Sequence, residues 1–241
     1  MATSDPFPTL RRSAAIYLDA AGRSPLPAVA AVAGTAGLLR KAQTPWSIGD
    51  TDADADAVRM LFAEVIGARA DEICFAPSCA YAMSLAATNL RGRITRARPF
   101  VLVLQDQHFS SVLPWQHACA ERGGELRIIR RPPDDDWTSS LLAALRERTA
   151  AVCCVPPSHW TDGSIIDLKA VSEACGSSAT ALVVDGTQWI GAGEEPPSDD
   201  LGDDLGDDLN EYLGRWRARR EGGEGRRGRV LGAQVAPGAV R

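Results

Sequence analysis

An α/β domain built on a mostly parallel sheet flanked by helices is the fold class this sequence predicts. Two observations carry the prediction. Short runs of β-branched and aliphatic residues recur along the chain, and amphipathic stretches of helical length separate them. The runs are apolar throughout rather than alternating, which is the pattern of strands buried on both faces. At 241 residues, with 45% hydrophobic and 24% charged residues, the chain is long enough to bury one such core. A wholly disordered or fibrous chain is excluded.

In chain order, the first expected helix is Pro27–Arg40, alanine-rich and weakened by Gly34 and Gly37. A second is expected at Ala53–Ile66. A first strand at Glu72–Ala76 (EICFA) is expected to turn through Pro77 and Ser78 into a helix at Ala80–Leu90. Four more strands follow: Phe100–Gln105 (FVLVLQ), Glu125–Arg130 (ELRIIR), Ala151–Val155 (AVCCV) and Ala181–Asp185 (ALVVD). Helices are expected between them at Ser111–Arg122, Ser139–Arg148 and Asp167–Cys175. Within the second of these, Leu141, Leu142 and Leu145 share one face while Arg146 and Arg148 turn outward.

The composition changes after Gly193. Glu194 to Asp208 carries acidic residues and no basic one, and includes the repeat DDLGDDLGDDL. From Gly214 the chain is rich in arginine and glycine, with no strand pattern. Such segments bury too little apolar surface to offset the entropy of ordering. Residues 1–193 are therefore expected as one large domain and 194–241 as a disordered tail, apart from a short helix at Asn210–Arg220.

Net charge −5 and pI near 5.3 give no general electrostatic reason to bind nucleic acid or an acidic membrane. The arginines at 215, 217, 219, 220, 226, 227 and 229 lie beside the acidic run, which competes for them. The longest apolar stretch, Ala28–Leu39, is too short to span a bilayer, and MATSDPFPTLRR lacks the apolar core of a signal peptide, so a cytoplasmic location is expected. Cys74, Cys153 and Cys154 sit in apolar runs and are expected to be small buried hydrophobes. No CxxC pair occurs, and His108, His117 and His159 make no zinc spacing, so no metal site is expected.

Ligands of open α/β sheets gather beyond the carboxyl ends of the strands. Those positions here are Pro77-Ser78-Cys79-Ala80, opening into a helix; Asp106-Gln107-His108; PPSHWTDG after Val155; and Asp185, followed by Gly186-Thr187-Gln188. A turn feeding a helix N-terminus offers free N–H groups to a phosphate. Singly, each has a plainer reading: Ser78 and Asp185 as caps, His108 as a loop histidine, Trp115 and Trp189 as core. Their common edge of the sheet raises the functional reading above these.

The segments YLDAAGRSPLP (17–27), DEICFAPSCAYAMSLAA (71–87), QDQHFSSVLPWQ (105–116), HWTDGSIIDL (159–168) and ALVVDGTQWIGA (181–192) resemble, in that order, the large domain of class V aminotransferases. That group includes the cysteine desulfurase-like enzymes and has the fold type I pyridoxal phosphate architecture. The resemblance implies pyridoxal 5'-phosphate as cofactor, a small amino acid as substrate and a homodimer. It implies that His108 stacks on the cofactor ring and that Asp185 pairs with the protonated ring nitrogen. Gln188 would bond the phenolic oxygen, and the Ser78-Cys79-Ala80 turn, in place of a threonine-containing one, would hold the phosphate. An anion beside the ring nitrogen keeps the ring an electron sink, so His108 and Asp185 are the expected catalytic residues. The family often has asparagine where His159-Trp160 stand.

One departure matters more. The family carries its cofactor on a lysine that follows the Asp-x-x-Gln strand, whereas lysine occurs here at 41 and 169 alone. With the switch to acidic repeats, this predicts a truncated large domain, catalytically incomplete by itself; the alternative is a non-catalytic remnant or interaction module of the same fold. A dinucleotide site is a poorer reading. The only GxGxxG, Gly223 to Gly228, follows no strand and opens no helix. No GxSxG elbow marks a hydrolase.

Overall fold

A computed structural model describes the protein at residues 6–7, 16–191 and 231–232. Two compact units divide the described residues, one up to Cys74 and the other from Phe75 onward, including Leu231–Gly232.

The first unit is built on two helices. α1 (Ala28–Gln43) begins after Pro27, whose fixed φ suits a helix entry, and ends with Arg40 and Lys41 in the last turn, where positive charge meets the helix dipole favourably. α2 (Thr51–Val65) is capped by Asp50, which accepts from the Asp52 N–H at 2.8 Å. Both lie close to their expected positions. Val29, Val32 and Leu38 of α1 and Met60 and Leu61 of α2 are exposed.

The expected strand Glu72–Ala76 does not form. Glu72 closes a 3-10 turn, Ala70–Glu72, and accepts the Arg69 N–H at 3.0 Å. Residues 73–76 run on without strand geometry and join none of the five strands of the sheet. Cys74 and Phe75 are exposed, so Cys74 is not the buried hydrophobe its sequence setting predicts.

The second unit holds the sheet. Its strands are β1 (Phe100–Leu104), β2 (Glu125–Ile129), β3 (Val152–Val155), β4 (Ala181–Asp185) and β5 (Leu231–Gly232). They pair in parallel throughout, in the order β2-β1-β3-β4-β5. β5 pairs with Val184 and Asp185, which corrects the expectation of no strand in the arginine- and glycine-rich segment. The acidic repeat, the arginine cluster and the expected helix Asn210–Arg220 lie outside the described residues.

Alternate strand residues feed two cores. Phe100, Leu102, Leu104, Cys153 and Val155 pack with α5 (Trp137–Glu147) and α6 (Leu168–Ser177). Val101, Val103, Val152, Cys154 and Val183 pack with α3 (Cys79–Leu90) and α4 (Leu113–Arg122). The result is a helix–sheet–helix sandwich. Carboxylates start the helices of the first face: Asp136 accepts from Ser139 N–H and Asp167 from Ala170 N–H, at 2.9 and 3.0 Å. α4 ends at Gly123, whose φ of +64° is the left-handed geometry glycine adopts without strain.

The chain leaves β1 toward β2 on one side and returns to β3 on the other, so the order reverses between β1 and β3. In such sheets that reversal opens a crevice at the carboxyl ends of the two strands.

Candidate functional site

Three segments converge at this edge of the sheet. β4 delivers Asp185 at its last position, 6% exposed. A 3-10 turn beyond β1, Phe109–Ser111, is capped by His108, whose Nδ1 accepts the Ser110 N–H at 3.3 Å. The N-terminus of α3 delivers Cys79. Ser111, fully buried, donates its hydroxyl to Asp185 Oδ2, and the Cys79 thiol donates to the same oxygen at 3.3 Å. Thr187 N–H donates to Oδ1 at 3.1 Å. β1 and β4 flank β3, so the Ser111–Asp185 bond bridges the end of β3, where the Cys154 thiol donates to the Ser111 carbonyl at 3.6 Å.

Neutral donors thus surround a buried carboxylate, and no ion pair among the described residues includes it. Donors of this kind stabilise a carboxylate without cancelling its charge. Burial, and then the nearby charge of Asp185, push the Cys79 thiol up to about 11, so it is protonated at neutral pH and acts as a donor rather than a nucleophile. Burial pushes Cys154 up to about 12.

Ser78 caps α3, its hydroxyl accepting the Tyr81 N–H at 3.2 Å, so the cap reading of this residue is realised. Ser78 and Ala80 are exposed, which leaves the first turn of α3 open to solvent. His108 is half-buried between two aromatic rings. It stacks on Phe109 at 4.3 Å and meets Trp160 edge-on at 5.4 Å. Gln188 lies three residues beyond Asp185, exposed, with φ +73°. Asp106 is also left-handed, φ +56°. Non-glycine residues are uncommon in that region, and two of them lie in the loops around this edge. The structure thus joins Cys79 to Asp185 directly, and His108 to Asp185 through the turn that carries Ser111.

Two further contributors take roles here that the sequence alone does not announce. The sequence pattern places Ser111 at a helix start, and its position three residues beyond His108 is the signal that points to the site. Trp160 donates its indole N–H to the Asp106 carbonyl at 2.6 Å and walls the His108 ring. His159 beside it is structural. Its ring lies parallel to Trp137 at 5.1 Å and its Nε2 donates to the Gln105 carbonyl at 2.9 Å. In the neutral ring this leaves Nδ1 to accept from the Thr161 hydroxyl, 2.8 Å away. Trp115 is core, as its plainer reading had it. Lys41 lies in the last turn of α1 and Lys169 in the first turn of α6, both exposed.

The family profile of class V aminotransferases matches residues 16–196. A comparison with curated protein sequences finds no match. Among solved structures, a lysine-to-alanine mutant of C-DES, with glycine covalently linked to its PLP cofactor, superposes with TM-score 0.63 at 19% identity, over 78% of this chain and 50% of that one. The apo cysteine desulfurase of Thermococcus onnurineus NA1 gives 0.56 at 18% identity, over 70% and 43%. DndA from Streptomyces lividans gives 0.59 at 18%, over 72% and 50%. The chain spans about half the length of these structures, and at such identities the likeness is one of fold. No helix among the described residues is long and apolar enough to cross a membrane. With the profile covering most of the sequence and the parallel sheet matching, the chain belongs to the class V aminotransferase family.

Proposed function

We propose that the second unit is a pyridoxal phosphate-binding large domain which, within a complete active site, serves transamination, desulfuration or elimination on a small amino acid. Asp185 is the observation that carries this reading. A carboxyl group 6% exposed meets neutral donors and no ion-pair partner among the described residues, and a cationic ring nitrogen would supply that partner. The other residues fit the same group. The open first turn of α3, at Ser78, Cys79 and Ala80, suits a phosphate, since its N–H groups and the helix dipole favour an anion. The half-buried His108 ring suits stacking, and Gln188 suits the phenolic oxygen. When bound, the cofactor supplies an electron sink for the α-carbon of an amino acid. The chain's part would be to orient it: Asp185 would pair with the ring nitrogen and His108 would stack on the ring, with Trp160 holding His108 in place.

Lys41 and Lys169 are the chain's lysines, and neither follows Gln188. The reading is therefore of reversible, non-covalent binding in this chain, with a homodimer and a cytoplasmic location as further parts of it. The same lysine pattern favours a second reading, a non-catalytic module of this fold. Borohydride treatment of the chain with pyridoxal phosphate tests the non-covalent claim. No stoichiometric label is expected at either lysine, and stoichiometric labelling of Lys169 or Lys41 would overturn it. Saturable binding by equilibrium dialysis is expected, and its absence leaves the module reading.

A further inference from the structure

We propose that Ser111 and Cys79 are positioning residues for Asp185, two neutral donors from separate segments that fix its Oδ2 and leave its charge for a cationic ligand nitrogen. The inference rests on the cofactor reading for the identity of that ligand, but the contacts themselves do not.

Asp185 ends β4, and nothing in a strand terminus alone sets the direction of a terminal carboxylate. Its Oδ1 is held locally, two residues away, by the Thr187 N–H. Oδ2 is held from afar: Ser111 lies 74 residues away and Cys79 lies 106. The two bonds come from the 3-10 turn beyond β1 and the N-terminus of α3, so together they define where the carboxylate sits relative to His108 and the open helix end. The choice of donor also matters. An arginine or lysine there would orient the carboxylate and also cancel its charge; a hydroxyl and a thiol orient it only. The thiol is suited to this because burial and the Asp185 charge keep it protonated. Ser111 is the stronger of the two, since O–H donors bond a carboxylate better than S–H donors do. Its turn is tied back to the sheet by the Cys154 contact.

The test uses the full chain and pyridoxal phosphate, with affinity read by equilibrium dialysis. Ser111→Ala should weaken binding about tenfold, Cys79→Ala about threefold, and Cys79→Ser, which keeps a donor, should restore the parent affinity. A second reading needs no cofactor. The alkylation rate of Cys79 in the apo chain, followed by site-resolved mass spectrometry at one mildly alkaline pH, should rise several-fold in Asp185→Asn as the thiolate becomes easier to form. If Cys79→Ala and Ser111→Ala bind as the parent does while Asp185→Asn does not, the positioning proposal fails and the cofactor reading stands. If no variant, nor the parent, binds the cofactor, the cofactor reading fails. The alkylation result then decides the contact: an unchanged rate in Asp185→Asn overturns it.

Discussion

The two faces of the sheet are made by the same strands and differ in the buried polar groups they carry: neutral ones on one, a carboxylate on the other. On the α5–α6 face they are neutral groups, bonded to main-chain carbonyls and to neighbouring hydroxyls. His159 donates to the Gln105 carbonyl and Thr180 to the Ala150 carbonyl, and the His159 ring is clamped flat on Trp137. These bonds close the face and leave no charge to a ligand. On the α3–α4 face Gln107 accepts the Leu104 N–H, and beside it stands a carboxylate, Asp185, met by a hydroxyl, a thiol and the Thr187 N–H. Backbone acceptors fix a fold because they cannot be exchanged without moving the chain. Side-chain donors on a charge build a site, because the charge survives them. The difference teaches where to look for function in a sheet whose two cores are similarly apolar.

Each side of that contrast can be broken separately. The largest expected effect is on the closed face: Trp137→Ala removes a fully buried indole and the plate under His159, and should destabilise the chain by about 3–5 kcal/mol. Urea denaturation checks it, and a loss below about 1 kcal/mol would mean that the face is not closed by packing. Next comes Asp185→Asn. It should cost at least about tenfold in pyridoxal phosphate affinity, or about 1.4 kcal/mol, with a smaller loss of apo-chain stability than Asp185→Ala. Parent-like binding by Asp185→Asn would reduce Asp185 to a cap. Asp167→Ala, which removes the α6 cap, should cost about 1 kcal/mol of stability and leave cofactor affinity unchanged. The smallest effect is that of Asp162. Hydrogen bonds from Ser164, and then the charge of Arg131, hold its carboxyl down at about 2. A carboxyl lowered in the folded state contributes stability above its unfolded value of 3.8 and loses it as pH falls toward 2. The acid limb of unfolding should therefore be shallower between about pH 4 and pH 2 in Asp162→Asn, and a superimposable limb would remove the residue from the account.

Much of the sheet was legible because its strands are buried on both faces. FVLVLQ, AVCCV and ALVVD have no polar side to conceal them, and β4 matches its expected bounds, Ala181–Asp185. Helix starts were legible to within two residues where an aspartate caps them, as at Asp136 and Asp167. EICFA reads as a strand by composition, but pairing is not written in composition, and residues 73–76 do not join the sheet. β5 failed in the other direction: two residues of an arginine- and glycine-rich stretch pair through their backbone, which no side-chain pattern announces. At the site, the individual residues were legible and their connections were not. The contact of Cys79 with Asp185 joins positions 106 apart, and only the crossing of the chain over β3 brings Ser111 to the same oxygen.

Because β2 lies at the margin of the sheet, among the described residues it pairs on one side only, with β1. A strand margin is a template on which another chain can add by main-chain bonding, and a crowded solution makes that encounter frequent. The sequence ELRII interrupts the template with charge. Glu125 is exposed, and Arg127 is drawn to Glu147 of α5 and lies over the Phe100 ring at 5.7 Å. Ile128, 52% exposed, is the apolar weakness between those charges and the arginines at 130 and 131. The same margin that completes the core thus sets charged residues on either side of its exposed apolar one, which is how natural edge strands discourage pairing with another chain.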